Sequence, residues 1–259
     1  MSDQPVLYSV DAAVATITLN RPDVLNALNP ALMTSLREAV ERARDDASVR
    51  AVIVTGAGRG FSAGADLGAG RDSTRDSADT LRQFYHPVIL AMRAMPKPIV
   101  SAVNGVAAGA GMSIALAGDI VLAAQSATFL QAFSKIGLVP DAGSTWFLPR
   151  YVGDVRARAL AILADRIGAD EAHRYGMVWK VYPDETFMAE ARAMAERLAT
   201  MPTRAYALIK QALNGTHERS LAEQLEVEAD LQREAGKTAD FREGVAAFRE
   251  KRAPRFEGR

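Results

Sequence analysis

Residues 97–124 read KPIVSAVNGVAAGAGMSIALAGDIVLAA, and how this stretch is parsed decides the fold. From Ile99 to Gly118 it carries no charge for about the length of a membrane span. Asn104, Gly105, Gly109 and Gly111 interrupt it, however, and alanine dominates it. A buried strand, a glycine-rich turn, a short buried helix and a second strand from Asp119 accommodate all of these residues. A strand that delivers the chain to a Gly-rich turn at the start of a helix is α/β organisation.

The same cycle appears on the N-terminal side. VATITLN (14–20) is strand-like, PALMTSLREAVERARDD (30–46) has apolar residues at helical spacing, and VRAVIVTGAG (49–58) reads as a buried strand closing on glycines. DTLRQFYHPVILAMRAM (79–95) is helical. From about Asp154 the pattern turns to helices, relieved only by VWKVYP at 178–183. The expected division is an α/β core over 1–195 and a helical region over 196–259, with no low-complexity linker between them.

Composition narrows the function. The chain has 259 residues, enough for a sizeable core, with 31 Lys plus Arg balancing 31 Asp plus Glu. No overall field attracts nucleic acid or an anionic membrane, so neither is expected as a partner. The absence of cysteine excludes disulfides, thiolate nucleophiles and cysteine-ligated metals. His86, His173 and His217 are too scattered to build a metal site or a catalytic triad, and no metal is expected. The first ten residues, MSDQPVLYSV, show no basic region followed by an apolar stretch, so the expected location is cytoplasmic.

Two turns carry the chemistry: GRGFSAGADL (58–67) and NGVAAGAGMS (104–113). Small residues let a ligand approach the backbone, and amides at a helix N-terminus can stabilise an oxyanion. A dinucleotide site is the competing reading, since Gly105, Gly109 and Gly111 give a GxxxGxG spacing and Tyr206 precedes Lys210 by four residues. Those glycines lie mid-chain, and no acid follows about twenty residues later to hold a ribose. A third stretch, KIGLVPDAGSTWFLP (135–149), places one aspartate, Asp141, in apolar surroundings. That carboxylate is either the N-cap of a helix starting near Ala142 or a group kept in a dry pocket for proton chemistry.

Taken together, ITLNRPDVLNALN, VRAVIVTGAGRGFSAGADL, KPIVSAVNGVAAGAGMSIALAGDIVLAA, GLVPDAGSTWFLPR and the ending FREGVAAFREKRAPRFEGR resemble the crotonase, or enoyl-CoA hydratase/isomerase, superfamily along nearly the whole chain. The resemblance implies a spiral of ββα units with a trailing helical region. It also implies a homotrimer or dimer of trimers that binds acyl-CoA thioesters, with coenzyme A part of the substrate and no separate cofactor. It assigns the amides of Ala63 and Ala110 to an oxyanion hole. Of the two positions that hold glutamates in a typical hydratase, the resemblance puts the first at Ser113 and the second at or beside Phe133, which puts ordinary hydration in doubt.

Asp141 stands where the branch that isomerises ring-1,2-epoxyphenylacetyl-CoA to oxepin-CoA has its catalytic aspartate. Val139, Trp146 and Phe147 are expected to desolvate it. The resemblance places Asn26, Ala27 and Leu28 along the pantetheine and Ala65, Asp66 and Leu67 toward the adenine. Phe248 and Lys251 would close over CoA, with Arg252 and Arg255 as further phosphate partners, and Phe84 and Tyr85 would join Trp146 and Phe147 as aromatic walls. The alternatives are a 3,2-enoyl-CoA isomerase of fatty-acid degradation, an enoyl-CoA hydratase, and a non-catalytic acyl-CoA-binding or RNA-binding relative.

Overall fold

The structure, a computed structural model, describes residues 4–68 and 76–259. It opens with a hairpin, β1 (Val6–Asp11) against β2 (Val14–Leu19), turned through Ala12 and Ala13 at φ of 46° and 61°. Two positive φ angles in a two-residue loop are what a hairpin of this twist demands, usually from Asn-Gly. With alanines there, β1 left no turn signal in the sequence.

Helix α1 (Pro30–Asp45) starts where its sequence says it must. The Asn29 side chain accepts from Leu32 N at 2.9 Å and Pro30 occupies the first turn. Leu32, Met33, Leu36, Ala39, Val40 and Ala43 form its buried face. Lys97 Nζ then caps the other end, donating to the carbonyls of Ala43 at 2.6 Å and Asp46 at 2.7 Å.

Three ββα cycles follow. β3 (Ala51–Gly56) and β4 (Gly60–Ser62) lead to α2 (Ser77–Thr80), a π-helical turn over Leu81–Tyr85, and α3 (His86–Ala94). β5 (Ile99–Val103) and β6 (Val106–Ala108) lead to α4 (Ala110–Ala117). β7 (Ile120–Ala124) and β8 (Thr128–Leu130) lead through a short 3-10 turn to α5 (Ser144–Val152) and α6 (Asp154–Leu163). Next come β9 (Ile167–Gly168), α7 (Ala169–Tyr175), β10 (Lys180–Tyr182) and α8 (Phe187–Ala199).

The first strand of each cycle joins one sheet, ordered β1-β2-β3-β5-β7-β10 and parallel from β2 onward. The second strand joins another, β4-β6-β8-β9, in which only β8 and β9 run antiparallel. This alternation is the crotonase-like spiral. Its consequence is that the turns after β4, β6 and β8 come to neighbouring positions.

Helices α9 (Thr203–Asn214), α10 (Leu221–Ala235) and α11 (Ala239–Glu250) complete the chain. Arg50 ties them to the sheet by donating to the carbonyls of Met201 at 2.6 Å and Phe256 at 3.0 Å. Lys210, the lysine of the dinucleotide reading, is buried and paired with Asp119 at 2.7 Å. Its charge serves the join between α9 and the sheet. Among the described residues no helix is long and apolar enough to cross a membrane, and 97–124 form the strand, turn, helix and strand expected.

Candidate active site

The first glycine-rich turn is shaped by Asn26, which the sequence placed on the ligand path. Asn26 is fully buried in a left-handed conformation, its Nδ2 donating to the carbonyls of Ala57 and Gly60 and its Oδ1 accepting from Arg21 N. With its polar atoms engaged inside the protein, it folds segment 21–28 against segment 57–66. Ala27 and Leu28 are also buried, at 7% and 2% exposure. Asp66 gives its carboxylate to Arg21 at 2.8 Å, which holds its pKa below the usual carboxylate value. Leu67 is exposed.

The hydrogen bonds of this turn also identify its available amide. Ala63 N donates to Leu25 O at 2.8 Å, so the donor expected at Ala63 is already spent. Leu28 N donates to Gly64 O at 2.8 Å and Asp66 N to Leu28 O at 2.9 Å, making a parallel bridge between Leu28 and Ala65. Because the Gly64 carbonyl is held toward Leu28, planarity turns the Ala65 N–H the opposite way. That N–H has no acceptor among the described residues. The free amide of this turn is therefore that of Ala65, two residues beyond the expected position.

The second amide lies beside it. Gly64 has φ of +89°, and a Cβ there would fall 2.7 Å from Ala108 O and 3.7 Å from Ala110 N. Only glycine lets the two turns meet so closely. Ala110 opens helix α4, and its N-cap, Gly109, offers no side chain to accept from the first turn. A helix's first amides lack intrahelical acceptors and sit at the positive end of its dipole. The two turns thus bring a pair of main-chain donors together, as an oxyanion hole requires.

Asp141 brings a carboxyl group to the third turn. Helix α5 begins at Ser144 with Gly143 as its N-cap and no side-chain cap bond, so the capping reading of Asp141 fails. Its Oδ1 is buried without a hydrogen-bond partner, and burial pushes the carboxyl from 3.8 up to about 6. Of the expected desolvating groups, Phe147 is buried and packs beneath the turn: a Cβ on Gly143 would meet its ring at 2.7 Å and Ile89 at 3.5 Å. Trp146 stands edge-on to Phe147 at 5.1 Å and under Arg150. Val139 does not take part, being 78% exposed.

Ser113 and Phe133 are closed to acid–base work. Phe133 is buried, and its ring lies 3.8 Å from the place of a Cβ on Gly109. Ser113 is fully buried and donates to Asp141 O at 3.0 Å. Tyr85, on the π-helical turn, is buried and reaches Leu28 O at 3.3 Å, and Phe84 packs against the core. The C-terminal residues stand apart from this network. Phe248 is 86% exposed, Lys251 forms the left-handed C-cap of α11, and Arg252 is paired with Glu243 and Glu250.

Known proteins are similar to this chain along its whole length. The chain is 47% identical to the 1,2-epoxyphenylacetyl-CoA isomerase of Escherichia coli (strain K12), over 98% of each chain. It is 49% identical to a probable enoyl-CoA hydratase of Rhodobacter capsulatus over the whole of both. The crystal structure of an enoyl-CoA hydratase/isomerase from Mycobacterium abscessus matches with a TM-score of 0.93 at 40% identity, covering 98% of this chain and 100% of that one. The sequence pattern described as enoyl-CoA hydratase/isomerase spans residues 9–259, and with the fold and the paired turns in agreement, the chain belongs to the enoyl-CoA hydratase/isomerase family.

Proposed function

We propose that the protein is an acyl-CoA isomerase that converts ring-1,2-epoxyphenylacetyl-CoA to oxepin-CoA and shifts enoyl-CoA double bonds between the 3,4 and 2,3 positions. The observation that carries this reading is the lone, half-buried carboxyl of Asp141, whose buried Oδ1 has no hydrogen-bond partner and whose pKa is raised to about 6. A base near that value is ionised at neutral pH yet readily returns its proton.

In the double-bond shift, Asp141 takes a proton from C2 of a 3-enoyl thioester. The C–H electrons move to the thioester oxygen, and the dienolate rests on the amides of Ala65 and Ala110. The same carboxyl then returns the proton to C4 as the electron pair flows back, leaving a 2,3 double bond. No water is consumed, in keeping with Ser113 and Phe133 at or beside the hydratase glutamate positions. With the aromatic epoxide, Asp141 moves protons around the C–O rearrangement. Coenzyme A is part of the substrate, and no further cofactor enters.

Product analysis tests the reading. Purified protein given the aromatic epoxide is expected to form oxepin-CoA, and given a straight-chain 3-enoyl-CoA to form the 2-enoyl isomer. Isomerisation of the straight chain alone selects the fatty-acid isomerase instead, and a 3-hydroxyacyl product selects the hydratase. Binding without turnover, unchanged in Asp141→Ala, rejects catalysis. A homotrimer or dimer of trimers is part of the same proposal. It is supported by Phe241 and Phe248 exposed on α11 and by an apolar groove of about 600 Å³ between α9 and α10.

A further inference from the structure

The carboxylate of Asp141 raises a problem of positioning. A base must stand within hydrogen-bond reach of the proton it removes, yet Oδ1 has no hydrogen bond to fix it. A donor on the carboxylate would anchor it, but would also stabilise its charge and weaken it as a base. The structure holds the residue by its main chain instead. Asp141 O accepts from Ser144 N at 2.9 Å and from Ser113 Oγ at 3.0 Å. The first bond is local to the turn. The second comes from helix α4, an element separate in sequence.

Ser113 also touches the other half of the site. Its N donates to Gly109 O at 3.2 Å, and its Oγ lies 3.4 Å from the same carbonyl. Gly109 O belongs to the peptide whose N–H is the Ala110 donor, so a hold on that carbonyl sets the direction of the amide. A hydroxyl has one hydrogen, and the shorter contact assigns it to Asp141 O. One fully buried side chain thus lies between the peptide that receives the enolate charge and the residue that moves the proton.

We infer that Ser113 is a positioning residue that sets the spacing between the Asp141 base and the Ala110 oxyanion donor. Its hydroxyl acts through the backbone, so it leaves the carboxylate free to remain a strong base. The inference rests on the reading of Asp141 as the base. Misplacement of a reacting group by about 1 Å costs on the order of 10²-fold in rate, so loss of one of two anchors is expected to lower kcat by at least about 10-fold.

The test compares Ser113→Ala, Ser113→Thr and Asp141→Asn in the isomerase assay, together with the Ser113→Ala/Asp141→Asn pair. Ser113→Ala leaves the Ser144 bond in place and suits a helix interior, and thermal melting checks that it folds. The expected result is a kcat at least about 10-fold lower with KM within about twofold of the parent. In the Asp141→Asn background, where no base remains to be placed, the same change has less than a twofold effect. Ser113→Thr, which keeps the hydroxyl, recovers rate wherever its melting temperature matches the parent. A normal kcat in Ser113→Ala, an effect confined to KM, or an equal loss in the Asp141→Asn background overturns the inference. Normal turnover by Asp141→Asn itself would instead sink the functional reading beneath it.

Discussion

At Asp141, stability and activity pull in opposite directions. The unfolded chain ionises this group near 3.8 and the folded protein near 6, so the folded state binds the proton more tightly. The stability this group contributes is full below pH 3.8 and is lost as pH rises through 6. With partial solvation allowed for, the ionised form costs on the order of 1–3 kcal/mol at pH 8. Asp141→Asn is therefore expected to melt roughly 2–4 °C higher per kcal/mol recovered at pH 8, with a smaller gain at pH 5. Its turnover should fall by about 10²–10⁴. In the parent enzyme, kcat measured against pH should decline below about pH 6 with a slope of one, as the base becomes protonated. A flat profile from pH 5 to 8 would remove Asp141 from the rate-limiting proton transfer.

Helix α4 combines two requirements at its first turn. Ala110, its first residue, is the donor we propose, and Gly111, the next, lets the helix approach β4, since a Cβ there would meet Ser62 O at 2.6 Å. Proline is tolerated at the first position of a helix but carries no N–H. Ala110→Pro is thus expected to fold and to lose roughly 10²–10³ in kcat, the usual cost of one oxyanion donor. Circular dichroism and melting separate that loss from unfolding. Gly111→Ala fails differently: the forced separation of α4 from β4 should cost about 1–3 kcal/mol, read as a lower melting temperature before any activity is measured.

Across the whole molecule, the helical region depends on a few long-range ties. Arg50 donates to Met201 O, Phe256 O and Thr203 Oγ1, and Asp240 is buried while accepting from Glu257 N and Gly258 N. Arg50→Ala leaves two carbonyls and a hydroxyl without this donor, so cleavage by protease should quicken within the last helices while the β-sheet core persists. If residues 196–259 also join the copies, Phe241→Asp with Phe248→Asp should convert the assembly to monomers in size-exclusion chromatography. An unchanged elution volume would place the interface elsewhere.

The sequence by itself determined the α/β class and the long elements, and it singled out the carboxylate proposed as the base. Helices α1 and α8 to α11 were legible because their apolar residues repeat at the helical period. β3, β5 and β7 were legible as largely apolar runs, and β2 as a strand-like stretch in which threonines interleave with apolar residues. Asp141 stood out as a lone acid in an apolar stretch. The three-residue strands β4, β6 and β8 escaped, being too short to show a period, and β1 escaped because its turn is Ala-Ala. Tertiary structure alone decided which amide is free. Ala63 and Ala65 are both alanines in a glycine-rich turn, and only the pairing of that turn with Leu25 and Leu28 takes the first N–H and leaves the second. It also turned the Asn26 side chain into the interior, left Val139 in solvent, and placed Ser113 between two carbonyls. A hydrogen bond between distant segments is a property of their approach, and no local pattern of residues encodes it.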